Sequence, residues 1–161
     1  MKKIMIFLCS VLMLTGVMQF SFAGEGKLSV IDPWARPVII EGRPSAAYFT
    51  IKNDSHTDDQ LIRVSSPLAD RIELHVHRHE GGVMKMEQVE NIPAPAHGTT
   101  TIEPGGYHLM LFGLKKKLAI GDELPLTLTF KYAGEIRTTA KVMKKAPKTG
   151  HNHMDHSKMK H

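Results

Sequence analysis

The sequence predicts an all-β domain, either a β-sandwich or a barrel with Greek-key connections, on three observations. Several segments alternate apolar and polar residues at every second position, most clearly residues 46–52 and 71–77. Turn-forming clusters of glycine, proline and asparagine separate such segments at short intervals. No segment has the period of an amphipathic helix. At 161 residues we expect one domain of roughly seven or more short strands around a single core.

The first 23 residues predict a secretory signal peptide. Lys2 and Lys3 form a short basic start, residues 4–20 are predominantly apolar, and Ser21 and Ala23 are the small residues that a signal peptidase recognises. We therefore expect cleavage after Ala23 and export to the periplasm. An uncleaved membrane anchor is the alternative, although the apolar run is short for a span.

Composition then excludes several classes of protein. The single cysteine, Cys9, lies in the predicted signal peptide, so the exported domain contains no disulfide and no thiolate of the kind a blue-copper electron-transfer site needs. The formal net charge of +5 is not gathered into a basic cluster with interleaved aromatics, and no nucleic-acid partner is indicated.

The first strands of the domain are expected at residues 27–31, 46–52 and 60–64. Pro33 and Pro37 follow the first of these and predict an extended segment outside any central ladder, because proline donates no backbone hydrogen bond. Trp34, the single tryptophan, is expected to be a core or rim anchor.

A hairpin is predicted next, with strands at residues 71–77 and 83–89 and Gly81-Gly82 as its turn. Alternation places the apolar residues of the first strand on one face and Glu73, His75 and His77 on the other. In the return strand Met84 and Met86 share a face, and the turn is expected to bring Met86 back towards His75.

The remaining strands are predicted at residues 92–95, 99–102 and 107–111, followed by a hairpin with strands at residues 124–132 and 136–142. Pro104, Gly105 and Gly106 match a type II turn, which needs glycine at its third position. After it, His108 and Met110 lie on the same face of one strand. Two histidines and two methionines without a cysteine form a soft, neutral ligand set that suits monovalent copper.

The chain changes character after the domain, which we place at residues 24–143. Residues 144–161 have the composition of a linker and a polar tail without core-forming residues, and we expect this segment to be disordered. Spaced imidazoles on a flexible chain favour divalent copper, with candidate ligands His151, His153, Met154, His156, Met159 and His161. An accidental or artificial tag is the alternative, and the interrupting Met154, Asp155 and Met159 argue against it.

The four candidate ligands carry a family resemblance. His75, Met86, His108 and Met110 follow the spacing H-x10-M-x21-H-x-M. Together with the flanking sequences WARP (residues 34–37), ELH (73–75), GVMKM (82–86) and PGGYHLML (104–111), this spacing resembles that of the periplasmic copper(I) chaperones of the PCuAC family.

The resemblance implies a cupredoxin-like Greek-key fold and a Cu(I) site made of those four residues. It implies delivery of copper to the CuA centre in subunit II of cytochrome c oxidase, or to a related respiratory oxidase, with a Sco-type thiol protein as a further partner. A periplasmic copper or zinc buffer without a delivery partner is the alternative. Since no catalytic triad, phosphate loop or paired-carboxylate motif is present in the sequence, we expect no enzyme activity.

Several residues near these ligands have two interpretations. His77 and His79 are either additional ligands or solvated strand residues, and the second interpretation is preferred. Met84 and Met143 are expected to pack rather than to bind metal, and His56 and His97 to be solvated. The protein is expected to be a monomer, with a metal-bridged dimer as the alternative.

Overall fold

In the computed structural model, which describes residues 28–40 and 42–147, the described chain is built of strands and turns without a helix. None of these residues lies in a helix long and apolar enough to span a membrane. The predicted signal peptide (residues 1–23) and the tail ligands lie outside the described residues. The strands are β1 (Leu28–Ala35), β2 (Ser45–Asn53), β3 (Asp59–Ser65), β4 (Ala69–Glu80), β5 (Val83–Gln88), β6 (Ile92–Ala94), β7 (Gly98–Ile102), β8 (Tyr107–Leu114), β9 (Glu123–Phe130) and β10 (Gly134–Val142).

The strands form one sheet in the order β5-β4-β8-β7-β2-β1-β10-β9-β3-β6, and β8 also pairs with β2. Two of the pairings, β1 with β10 and β7 with β8, are parallel, and the others are antiparallel. The sheet curls back on itself, so that β3 approaches β4 and β6 approaches β7 and β2. Its two halves therefore enclose a core as the layers of a sandwich do, which confirms the predicted all-β class.

Period-two alternation fills that core. In β9 the residues Leu124, Leu126, Leu128 and Phe130 are all buried, while the residues between them are partly exposed. Each such side chain contributes about 1.5–3 kcal/mol through its removal from water. Tyr132 continues the alternation in the sequence but lies exposed in the turn after β9.

The prediction for residues 32–37 was wrong in part, because β1 continues through Pro33 to Ala35. The pairing of β1 with β2 shifts register between Ile31 and Trp34, and Asp32 has a φ of 50°. This bulge takes up the proline, whose nitrogen cannot donate to the ladder, and lets the chain rejoin the sheet. Trp34 then packs against Tyr48, with ring centroids 4.5 Å apart, as the buried anchor expected of it.

A tight turn before β8 confirms the type II prediction. Gly105 has a φ of 89°, and the Gly106 N–H donates to the Glu103 carbonyl at 3.1 Å. The Gly106 carbonyl in turn accepts a hydrogen bond from the His77 N–H at 3.1 Å. The turn therefore joins the start of β8 to the middle of β4, where the candidate ligands lie.

Gly105→Ala is expected to lower the free energy of unfolding by roughly 1–2 kcal/mol, because alanine is disfavoured in the left-handed conformation. Space is not the cause, since a Cβ at Gly105 would meet no atom within 4 Å. Urea unfolding measures the change. Gly106→Ala is the matched control, because its Cβ would make only ordinary contacts at 3.7 Å with Glu103; equal losses in the two variants would contradict the strain argument.

Candidate metal centre

The register of three neighbouring strands brings the predicted folded-site ligands to one face of the sheet. His75 of β4 lies opposite His108 of β8, and Glu73 lies opposite Met110. On the other side of β4, His77 lies opposite Met86 of β5. Residues directly opposite each other in an antiparallel pair share a face. The structure therefore places all four predicted ligands on the same face of β5-β4-β8.

The contacts within this group are close. His108 Nε2 lies 3.2 Å from Met86 Sδ, and the ring centroids of His75 and His108 are 5.7 Å apart. Met110 follows two residues after His108 and is partly buried. Both histidines are buried, with 9% and 3% of their surface exposed, whereas Met86 is 51% exposed. The group thus has buried imidazoles and a solvent-accessible thioether.

The hairpin register differs in detail from the expectation that Met86 lies towards His75. Met86 is directly opposite His77, and Gln88 is opposite His75. The reason is the two-residue turn: with Gly81 and Gly82 in the loop, Glu80 must pair with Val83, and every other pair follows. The turn was recognised in the sequence, and counting back from it would have identified His77 as the partner of Met86.

A carboxylate sets the proton position on His75. Glu73 Oε2 lies 2.9 Å from His75 Nε2, and its other oxygen accepts from Arg71 Nε at 2.7 Å. A carboxylate only accepts hydrogen bonds, so His75 Nε2 carries the proton and, in the neutral ring, Nδ1 carries the lone pair. His75 Nδ1 is buried without a hydrogen-bond partner among the described residues. Alternation in the sequence places Glu73 on this face, but no sequence signal indicates that it accepts a hydrogen bond from His75.

A backbone carbonyl sets the proton position on His108. His108 Nδ1 donates to the Gly106 carbonyl at 3.1 Å, which leaves the lone pair on Nε2, the atom that faces Met86 Sδ. Burial lowers the pKa of His108, and the nearby His77 and His75 lower it further, against the hydrogen bond to Gly106, which raises it. The ring is therefore held neutral, with its free nitrogen towards sulfur.

The chemistry of these donors is soft and uncharged. No group of three or more His, Cys, Asp or Glu side chains in residues 28–40 and 42–147 is placed to hold a metal ion. The donor atoms in contact are the Nε2 of His108 and the thioether sulfur of Met86, with the ring of His75 beside them. Such neutral donors suit a soft monovalent cation better than a hard divalent one.

The other candidates have different surroundings. The ring of His77 stacks on that of His108 at 4.6 Å, and its Nδ1 is buried without a partner in the described chain. His79 is exposed opposite Met84. Met84 is 53% exposed, so the prediction that it packs was wrong.

His56 and His97 are exposed as expected, but they are also joined to each other by a hydrogen bond of 2.8 Å between His97 Nε2 and His56 Nδ1.

The fold and the His–Met group define a cupredoxin-like β domain with soft donors on one sheet face. Residues 28–142 match the family described as putative lipoprotein LpqE-like, and the chain belongs to this LpqE-like family. Its curated relatives include the uncharacterized protein RP573 of Rickettsia prowazekii, 36% identical over 111 residues (66% of this chain, 61% of the relative). Another is the putative lipoprotein Lxx21020 of Leifsonia xyli, 31% identical over 87 residues (53% and 52%). The chain thus spans less than two thirds of the length of either relative.

Solved structures confirm the cupredoxin-like fold expected from the sequence. The apo PCuAC domain from PmoF1 superposes with a TM-score of 0.63 at 29% identity, over 76% of this chain and 96% of that domain. The copper-bound PCuAC domain from PmoF2 gives 0.62 at 28% identity, over 76% and 95%. The copper(I) form of DR1885 from Deinococcus radiodurans gives 0.58 at 33% identity, over 76% and 84%.

The proton positions deduced above are directly measurable. In the metal-free protein, long-range ¹⁵N–¹H NMR is expected to show the Nε2–H tautomer for His75 and the Nδ1–H tautomer for His108. The same spectra, recorded across pH, should give a pKa for His108 below its ordinary value of 6.5, because burial disfavours the charged ring. In Glu73→Leu the His75 preference should disappear while His108 is unchanged, because only His75 loses its acceptor. Finding the proton of His75 on Nδ1 in the unmodified chain would contradict the assignment.

Proposed function

We propose that this chain is a copper(I) chaperone domain that binds the ion through His75, Met86, His108 and Met110. The observation that carries the proposal is the contact of His108 Nε2 with Met86 Sδ at 3.2 Å. Because the hydrogen bond to Gly106 occupies the proton of His108, two lone pairs face each other there. A cation between them would replace an unfavourable contact with two bonds.

Oxidation state follows from donor type. Two imidazoles and two thioethers are neutral and include no oxygen, and this set favours Cu(I) over harder ions. Two structural neighbours support copper as the ion: the copper-bound PCuAC domain from PmoF2, 28% identical to this chain, and the copper(I) form of DR1885, 33% identical. We propose His75 Nδ1 and His108 Nε2 as the ligating nitrogens, since these are the atoms left without protons.

Release is proposed to begin at the exposed ligand. Met86 is reachable from solvent, whereas His75 and His108 are held in the sheet. An incoming thiolate of an acceptor protein can therefore displace the Met86 thioether first, while the imidazoles still hold the ion. Thiolates bind soft metals more tightly than thioethers do. Copper remains monovalent throughout, so the transfer needs no electron donor.

We further propose export to the periplasm by the signal peptide, with the CuA site of cytochrome c oxidase subunit II as acceptor and a Sco-type thiol protein as co-partner. The His- and Met-rich tail would collect Cu(II). These roles rest on the resemblance and on the sequence outside the described residues. Oxidase activity in a deletion strain separates delivery from buffering, because loss of a buffer would leave CuA loading intact.

Removing one ligand is expected to weaken Cu(I) binding at the folded site by at least about 100-fold, because losing a residue that only hydrogen-bonds to a ligand already costs up to that much. His108→Ala and Met86→Leu test this in competition with a chromogenic Cu(I) chelator. X-ray absorption of the Cu(I) protein should show one sulfur scatterer fewer in Met86→Leu. His97→Ala is the control, since His97 is an exposed histidine outside the site. Unchanged affinity in His108→Ala would falsify the proposal.

Glu73 is expected to act as a positioning residue through its hydrogen bond to His75. Loss of that acceptor in Glu73→Leu should weaken Cu(I) binding about 10- to 100-fold. Glu73→Gln keeps a carbonyl oxygen that can accept from Nε2–H, so it should retain most of the affinity. The same chelator competition compares the two variants, and equal losses in both would show that the charge of Glu73, not its hydrogen bond, matters.

A further inference from the structure

The donors of the site continue outward along the β4–β5 hairpin. Beyond the His77–Met86 pair, His79 lies directly opposite Met84. The two pairs are two residues apart along each strand, so they share a face and are separated by about 7 Å. The hairpin therefore carries two imidazole–thioether pairs in succession between its tip and the centre of the proposed site.

The two faces of this hairpin differ in chemistry. One face has only imidazole, thioether and amide side chains: His75, His77, His79, Met84, Met86 and Gln88. The other face has Arg78 paired with Glu87 at 3.2 Å and Lys85 paired with Glu80 at 2.9 Å. A hairpin that was merely solvated would gain from charges on both faces. Within the paired residues 75–80 and 83–88, the face with the soft donors instead carries no Asp, Glu, Lys or Arg; Glu73 shares this face only further along β4.

Packing does not explain Met84. Half of its surface is exposed, and every residue of β5 is exposed. An apolar thioether in water gains nothing from burial there. Opposite residues in an antiparallel pair have Cβ atoms about 4.5–5.5 Å apart, which allows one metal ion to bind both His79 and Met84 with bonds of about 2 Å.

His77 connects this outer pair to the inner ligands. It stacks on His108 at 4.6 Å, faces Met86 across the hairpin and keeps a buried Nδ1 without a partner among the described residues. A free, buried nitrogen is costly unless it binds something. Its position between the outer pair and His108 is that of a bridging donor.

We propose that His79 and Met84 form an outer Cu(I) site at the hairpin tip, from which the ion passes by way of His77 and Met86 to the inner site. This inference rests on the proposed function. Copper stays monovalent, and each step exchanges one neutral donor for another, so no proton or electron is transferred. With two exposed donors, the outer site binds more weakly than the inner one and fills after it.

Silver(I), a monovalent soft ion without redox chemistry, tests the proposal in the full chain labelled with ¹³C at the methionine methyls. Each methyl resonance is assigned by substitution. On titration, the Met86 and Met110 resonances are expected to shift first and the Met84 resonance at higher silver. In His79→Ala, the Met84 shift should be lost while the Met86 and Met110 shifts remain.

Lys85→Met is the matched control. It places a thioether on the same exposed strand but on the opposite face, across from Arg78. Its methyl should not shift at silver concentrations that shift Met84. If it shifts as readily, silver binds any exposed methionine and the outer site is overturned. The outer site is also overturned, with the proposed function intact, if Met86 and Met110 respond and Met84 does not. If Met86 and Met110 stay unchanged, the proposed function itself fails.

Discussion

Two hydrogen bonds that place the histidine protons are the constraint on which the proposed site depends. Glu73 accepts the hydrogen bond of His75 Nε2–H, and the Gly106 carbonyl accepts that of His108 Nδ1–H. Either ring could otherwise present an N–H to the sulfur-lined face, and a cation would have to displace that proton. Fixing the tautomers in advance leaves the lone pair of His108 towards Met86 Sδ and that of His75 on a buried nitrogen without a hydrogen-bond partner among the described residues. The entropy of orienting these two rings is thereby lost during folding, before any ion binds.

Both of these acceptors are positioned by the sheet rather than by local sequence alone. Glu73 is held by Arg71 on the same strand, and the Arg71 guanidinium lies over the Phe112 ring of β8 at 4.7 Å. Gly106 belongs to the turn that bonds to the His77 N–H of β4. Pairing of β4 with β8 thus fixes both acceptors and both rings together. A change in this register by one residue would move the ligands of the shifted strand to the opposite face and separate them from the others.

The contrast between buried imidazoles and an exposed thioether suits transfer rather than storage. In the proposed site, the buried histidines with fixed tautomers would hold the ion in place, while the exposed and flexible Met86 would give an acceptor access to it. Because the proposed site contains no thiolate, it would bind Cu(I) more weakly than an acceptor with cysteine ligands. Under the proposed function, the direction of transfer follows from the donor types, and no conformational change is required.

The sequence by itself determined the strand alternation, the Gly81-Gly82 and type II turns, and the four ligand candidates with their family resemblance. These features depend on residues close together in the chain or on a spacing that can be counted. Continuation of β1 through Pro33 escaped prediction, because a bulge absorbs the proline only when β2 and β10 lie alongside. The structure alone decided that Glu73 and Gly106 orient the rings, that His77 stacks on His108, and that Met84 is exposed. Each of these depends on which strands become neighbours, and strand pairing is set by burial of the whole core.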